Sequence, residues 1–270
     1  MNNQTNNSKW KILIIVLASI VLALIIPLAY QQMKQPSNHS KSEAPKKNES
    51  NEKKGKKIIW EVDSANITTN EMYKCVKENY GEPAIWGRYL GSNGNVSTGL
   101  TKKEIKFLHE KKVKILLIYN HFSNATTKKA GVKEAETAIK LAKEINAPKG
   151  TVIFADIEPK YPVDSAFIQG WVDTIEKSHY HPGIYGIFDK DAKLYNQFNK
   201  ASKDNKKIKD QTILWTAAPN KRISSKEKAP NFNPIGPKNS LLYGWQYGID
   251  AKTCNIDTDL FHESITDYLW

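Results

Sequence analysis

The densest chemical signal in the sequence is the triplet Asp156-Ile157-Glu158. On an extended strand, positions two apart share a face, so both carboxylates point one way and Ile157 the other. Two carboxylates this close in a dry site cannot both ionise cheaply. One keeps its proton at a raised pKa and can act as a general acid. Glycoside hydrolysis uses that combination, a protonated carboxyl for the leaving oxygen and a charged partner for the oxocarbenium-like state. Asp63 supplies a third acid, and Asp257 and Asp259 a late pair. The bland alternative is a structural salt bridge from Asp156 or Glu158 to Arg88.

These residues need a frame that gathers distant segments. From Lys57 onward, short apolar runs alternate with helical patterns. Strands are expected at Ile58–Asp63, Ala84–Leu90, Val113–Tyr119, Thr151–Ile157, Gly183–Phe188, Thr212–Thr216 and Leu241–Tyr247. Thr68 with Glu71, and Thr101 with Glu104, read as capping boxes that open helices. The spacing of Val132, Ala135, Ala138, Ile139, Ala142 and Ile145 predicts a third helix, and Asp164 caps a fourth that runs to His179. Strand–helix alternation repeated in this way predicts parallel strands joined by helical crossovers. No glycine-rich phosphate loop follows the first strand, which disfavours a doubly wound nucleotide-binding fold. The expectation is an α/β fold, a TIM-type (β/α) barrel with an irregular seventh unit over Ala217–Ser240.

In such a barrel the C-terminal ends of the strands form the active face. That places Asp63, Arg88, Tyr89, Tyr119, Asp156, Glu158, Tyr185, Trp215, Trp245 and Gln246 in one cleft, with Asp257 following. Glu158, Asp156 and Asp63 are the candidate catalytic residues. Arg88, Tyr89, Tyr119, Tyr185, Trp215, Trp245, Gln246 and Asp257 are the candidate substrate-binding residues, the aromatics offering flat faces for sugar rings. His179 and His181 fall at a helix–strand junction at the opposite end and read as a turn pair. His121 has no second His or Cys near it, so neither a metal nor a cofactor is expected. Cys75 and Cys254 are either a disulfide across the barrel seam or two buried thiols.

The chain of 270 residues carries 40 Lys+Arg against 28 Asp+Glu, a net charge of +12, with 40% hydrophobic and 25% charged residues. That composition excludes global disorder and disulfide-dense mini-proteins. Residues 1–57 hold ten lysines against three glutamates. Most of the excess charge therefore lies ahead of the barrel, which argues against a nucleic-acid groove and against nucleic acid as a partner. After a short segment, residues 1–11, the apolar run Ile12–Tyr30 is long enough to span a bilayer. It is read as an uncleaved signal anchor, with a cleaved signal peptide as the alternative. Residues 31–57 form a flexible Lys-rich linker, and residues 58–270 the barrel. The expected location is the cell membrane, single-pass, with the C-terminal domain extracytoplasmic.

Several stretches carry a resemblance. They are Val62-Asp63-Ser64, Trp86-Gly87-Arg88-Tyr89-Leu90-Gly91, Gly99-Leu100-Thr101, Phe154-Ala155-Asp156-Ile157-Glu158, His181-Pro182-Gly183-Ile184-Tyr185-Gly186 and Trp245-Gln246-Tyr247. On these, residues 58–270 resemble the glycoside hydrolase-like domain family of unknown function that is related to glycoside hydrolase family 25 lysozymes. The resemblance implies a TIM-type barrel that faces the cell wall, with Glu158 as the acid, Asp156 beside it, Asp63 on the first strand and Asp257 or Asp259 as the late acid. The implied partners are a polysaccharide or peptidoglycan, and the membrane through the N-terminal helix. The rival reading is a non-catalytic glycan-binding module on the same barrel. A third is a scaffold held to an anionic polymer through the linker.

Overall fold

The computed structural model describes residues 57–270. The expected membrane span Ile12–Tyr30 and the linker lie outside the described residues. Among the described residues no helix is long and apolar enough to cross a membrane.

Eight strands close into a barrel in chain order: β1 (Ile58–Asp63), β2 (Ile85–Tyr89), β3 (Lys114–Tyr119), β4 (Val152–Ile157), β5 (His181–Gly186), β6 (Ile213–Ala217), β7 (Leu241–Gly248) and β8 (Asp257–His262). Six helices lie between them: α1 (Asn70–Asn79), α2 (Lys102–Glu110), α3 (Lys128–Glu144), α4 (Ser165–Glu176), α5 (Lys193–Asp204) and α6 (Lys206–Gln211). The neighbours from β1 to β7 pair in parallel. β8 does not follow the expected pattern. It runs antiparallel to both β7 and β1, reached by a short loop instead of a crossover helix. Its N-terminal end therefore sits at the same rim as the C-terminal ends of the other seven. The segment between β6 and β7 is irregular, as expected, apart from a 3-10 turn at Lys226–Lys228.

Strand parity divides the side chains into two layers. Ile85, Leu116, Ile118, Val152, Phe154, Ile213, Trp215 and Phe261 fill the barrel interior. Trp86, Ile115, Leu117, Tyr119, Ile153, Ala155, Ile157, Ile184, Leu214 and Trp245 pack outward beneath the helices. Inside, Trp215 is the centre of an aromatic plug, its ring 5.6 Å from Phe154, 5.6 Å from Phe261 and 4.5 Å from Tyr185. The bottom is stoppered by the 3-10 turn Glu263–Tyr268, whose Ile265 joins that interior together with Leu269. Trp270 exchanges two backbone hydrogen bonds with Ile115, of 2.8 and 3.1 Å.

Local signals account for the helix starts. Thr101 accepts from the Glu104 N–H and Asp164 from the Phe167 N–H, as expected. The first helix is capped one residue later than the Thr68/Glu71 box suggests. Thr69 accepts from the Met72 N–H, and the Thr68 N–H donates to Glu104 Oε1 at 2.7 Å. α3 and α4 cross at glycines: a Cβ on Gly131 would meet Phe167 O at 2.2 Å, and one on Gly170 would meet Lys128 O at 2.3 Å. Cys75 on α1 and Cys254 in the β7–β8 loop form a disulfide with a Cα–Cα distance of 5.7 Å. This decides between the two cysteine readings.

Candidate functional site

The inward positions of the strand ends gather carboxylates at one rim. β1 contributes Glu61 and Asp63, β4 Asp156 with Glu158 just beyond it, and β8 Asp257 and Asp259. The antiparallel register sets Asp63 opposite Asp257 and Glu61 opposite Asp259. Directly opposed residues bring their Cβ atoms within about 4.5–5.5 Å, where like charges repel. Gly87 is the parallel neighbour of Asp63, and a Cβ there would lie 2.6 Å from the Asp63 Cβ. Glycine leaves the aspartate its room.

Few positive groups offset these acids. The Gln246 amide ties two of them together, donating from Nε2 to Asp63 Oδ2 at 2.9 Å and to Asp257 Oδ2 at 3.3 Å. Its Oε1 accepts from the Tyr185 hydroxyl at 2.6 Å. Asp257 also accepts from the Asp250 N–H at 2.7 Å, and Trp215 donates to Asp259 at 3.0 Å. Both Glu61 oxygens, Asp259 Oδ2 and Asp156 Oδ1 are buried without a hydrogen-bond partner. A proton on each of these acids is cheaper than an uncompensated charge.

The pKa directions follow. Burial pushes Asp63 up to about 6, against the Gln246 and Asp259 hydrogen bonds and the more distant Arg88 charge that pull it down. Burial, then the Asp63 charge, raises Asp257 to about 8. Asp156 rises well above the carboxylate range through burial and then the Glu158 and Asp63 charges. Glu61 and Asp259 rise for the same two reasons, burial first and neighbouring acids second. Glu158 is raised by burial and partly drawn back by Lys160. Burial followed by the surrounding carboxylates also holds the Tyr89 and Tyr185 phenols protonated.

Glu158 is half-buried and is the acid most open to the rim. It lies on two adjoining clefts. One, of about 220 Å³, is lined by Tyr185, Gln246, Ile249, Asp250 and Asp257. The other, of about 270 Å³, is lined by Tyr161, Ile187, Lys193 and Leu194. A ligand spanning both would straddle the Glu158 carboxyl. Among the described residues no cluster of His, Cys, Asp and Glu is arranged to hold a metal ion.

Four of the expected binding residues are elsewhere. Arg88 faces outward and is fully buried, its Nε 2.6 Å from Glu104 Oε1 and its other nitrogens on the Ser64 and Thr98 carbonyls. It therefore cannot touch a ligand, and it is not the partner of Asp156 or Glu158. Its neighbour Tyr89 takes the inward position. Tyr119 also faces outward, stacked on Trp171 and donating to Glu134 at 2.6 Å. Trp245 is buried outward with its Nε1 on the Ala218 carbonyl. Trp215 points inward but lies at 1% exposure beneath the site, where it supports Asp259 and Tyr185 and cannot offer a face to a sugar. Tyr89, Tyr185, Gln246 and Asp257 remain at the rim with the three candidate catalytic acids. Asp257 is the late acid in the cleft and Asp259 the one below it. Glu61 was not singled out from the sequence, although Trp60-Glu61-Val62-Asp63 has the same period-two spacing as Asp156-Ile157-Glu158.

Comparison with known proteins gives a consistent fold. None of the curated proteins compared matches the chain. Among solved structures, an uncharacterized B. stearothermophilus protein is 36% identical with a TM-score of 0.76, over 78% of this chain and 100% of that one. The Mycobacterium tuberculosis Tat-secreted protein Rv2525c, solved with L-tartrate, is 16% identical at a TM-score of 0.53, covering 76% of this chain and 96% of that one. The Clostridium perfringens spore cortex lytic enzyme SleM is 13% identical at 0.53, over 78% and 69%. The last two share the fold alone. Residues 81–256, which run from just before β2 to the edge of β8 and include Asp156, Glu158, Tyr185 and Gln246, match a family model. The chain belongs to the Rv2525c-like, glycoside hydrolase-like domain family.

Proposed function

We propose that the barrel is a glycoside hydrolase that cleaves cell-wall or a related N-acetylated polysaccharide, peptidoglycan foremost. The observation that carries this reading is Glu158, a half-buried carboxyl with a raised pKa lying on two clefts at once, with the buried Asp156 beside it. Glu158 protonates the glycosidic oxygen as the bond to the anomeric carbon breaks. Burial keeps the Glu158 pKa high, and Asp156 orients either the substrate N-acetyl group or a water for attack. Asp63, held by Gln246, carries negative charge near the anomeric carbon as positive charge develops there. Tyr89 and Tyr185 serve as neutral hydrogen-bond donors to sugar hydroxyls. The same fold in a spore cortex lytic enzyme is in keeping with this reading.

The proposal includes location. Residues 12–30 anchor the chain in the cell membrane, residues 31–57 tether it, and residues 58–270 work outside the cell. The Cys75–Cys254 disulfide supports an oxidising compartment. Protease added to intact cells should digest the barrel and spare residues 1–11.

The deciding experiment is reducing-end release from purified peptidoglycan and N-acetylated oligosaccharides by the full chain in neutral detergent, beside Glu158→Gln. Release abolished in the variant establishes a glycosidase with Glu158 as its acid. No release, with equal glycan binding by both proteins, overturns hydrolysis in favour of the glycan-binding module. That second reading has one observation of its own: Gln246 already engages both Asp63 and Asp257, as a fixed binding site would.

A further inference from the structure

A second concavity, larger than either cleft beside Glu158, lies on the outer wall between α5–α6 and the segment before β7. It measures about 710 Å³ and is lined by Lys200, Lys203, Lys206, Lys209 and Lys238 together with Tyr195, Asn196, Asn199 and Ser202. No acidic residue lines it. None of the five lysines makes an ion pair among the described residues, where six such pairs occur elsewhere. Residues 193–209 contain six lysines and one acid, Asp204. That acid accepts from Gln169 on α4 and does not line the groove. The Ser202 hydroxyl is buried in the groove wall without a hydrogen-bond partner.

Lysines three apart on a helix are displaced by about 4.5 Å along its axis and lie on neighbouring faces. Lys200 and Lys203 on α5 make one such pair and Lys206 and Lys209 on α6 a second, on either side of the break at Asn205, and Lys238 lines the same groove. Cations spread along a groove in this way suit a repeating anion more than a single compact one. We propose that this groove binds a linear phosphodiester polymer without bases, such as a polyol-phosphate chain carried by the wall glycan. Two features favour this over nucleic acid. Tyr195 is the one aromatic side chain lining the groove, whereas base-binding grooves stack successive bases on several. The disulfide fits a compartment where nucleic acid is not the resident polyanion. The groove also begins at Tyr195, directly after Lys193 and Leu194 in the wall of the cleft beside Glu158. The inference does not depend on turnover at the carboxylates.

The test uses the full chain in neutral detergent, so that the Lys-rich linker is the same in every variant. Binding of poly(glycerol phosphate) is measured against salt for the wild type, for Lys200→Glu/Lys203→Glu/Lys206→Glu/Lys209→Glu, and for a control with Lys102, Lys133, Lys149 and Lys177 changed to Glu. The groove variant should lose at least about tenfold in affinity at physiological salt and show a shallower salt dependence, as fewer counterions are released. The control should bind within about twofold of wild type. The corresponding four Lys→Gln changes should give a smaller loss in the same direction, and thermal melting of each variant identifies any that fails to fold. Equal losses in groove and control variants would reduce the effect to net charge and overturn the proposal, as would no loss in either. An oligothymidylate with the same number of phosphates that binds the groove more tightly than poly(glycerol phosphate) would overturn it in favour of nucleic acid.

Discussion

Two sets of charge are removed from water in this barrel, and they are treated in opposite ways. On the outer face, Arg88 and Glu104 are buried together at 2.6 Å, and every guanidinium nitrogen has a carbonyl or carboxylate to meet. On the inner face, Glu61, Asp63, Asp156 and Asp259 are buried as deeply with no cation in contact, and several of their oxygens have no partner. Pairing neutralises the first set, whereas only protons can neutralise the second. A buried ion pair ties β2 to the start of α2 and to the loop after β1. A buried stack of acids with raised pKa values stores free energy that a substrate or a proton can release, which is how active sites differ from scaffolds. β2 serves both faces: Arg88 points out to Glu104 where Tyr89 points in towards the acids.

The comparison can be broken most sharply at Glu158. Glu158→Gln should lower glycan turnover by about 10²–10⁴-fold, the usual contribution of a general acid. It should leave stability within about 0.5 kcal/mol, because the residue is half-exposed and unpaired. Equal turnover by wild type and variant would remove Glu158 from the chemistry.

The outer pair should do the reverse. Arg88→Met strands a buried carboxylate and should cost about 3–5 kcal/mol, read by denaturant unfolding. The double change Arg88→Met/Glu104→Leu should recover most of that loss, and turnover per folded molecule should persist in both. A loss of turnover without a loss of stability would mean that Arg88 serves the site after all.

The seam between β1 and β8 carries the next effect. Cys75→Ser opens a covalent link between residues 179 apart in sequence. It should lower stability by about 2–5 kcal/mol under oxidising conditions and by nothing under reducing ones. A variant equal to wild type in both would show that the strand pairing alone holds the seam.

A pH series reads the inner acids on their own. Asp257 has a folded-state pKa of about 8 against an ordinary value of 3.8. Below the ordinary value the residue is protonated whether folded or unfolded, and its burial costs nothing. As pH rises towards 8 the unfolded state releases the proton first, and wild-type stability falls relative to a residue that cannot ionise. Asp257→Asn should therefore gain on wild type steadily from pH 4 to pH 8 and no further above. A flat Asp257→Asn difference would show that the inner acids ionise freely.

The sequence revealed the parts of the site that rest on local geometry. Asp156 and Glu158 share a face because they are two apart, and seven of the eight strands announce themselves as apolar runs. What it hid depends on phase and depth. Arg88 and Tyr89 are adjacent, so only one can face inward, and nothing local says which. Register shifts on β7, opposite Leu214/Trp215 and between Gln246 and Gly248, change the phase near Trp215 and Gln246. Trp215 is one layer too deep to meet a ligand, a matter of strand tilt that no single strand encodes. β8 escaped notice because its inward residues Asp257 and Asp259 are acids, the inverse of an ordinary amphipathic strand. α5 was missed although Leu194, Phe198 and Ala201 mark its buried face.

The antiparallel last strand also bears on the timing of assembly. β1 finds one of its two partners only in β8, and the barrel floor is completed by residues up to Trp270. Contacts between chain ends this far apart are the slowest to form. Until β8 is in place the sheet stays open and half-paired at β1, with the inner acids in water and ionised. Closure would then take up protons as it proceeds, and mild acidity should speed the final step of folding.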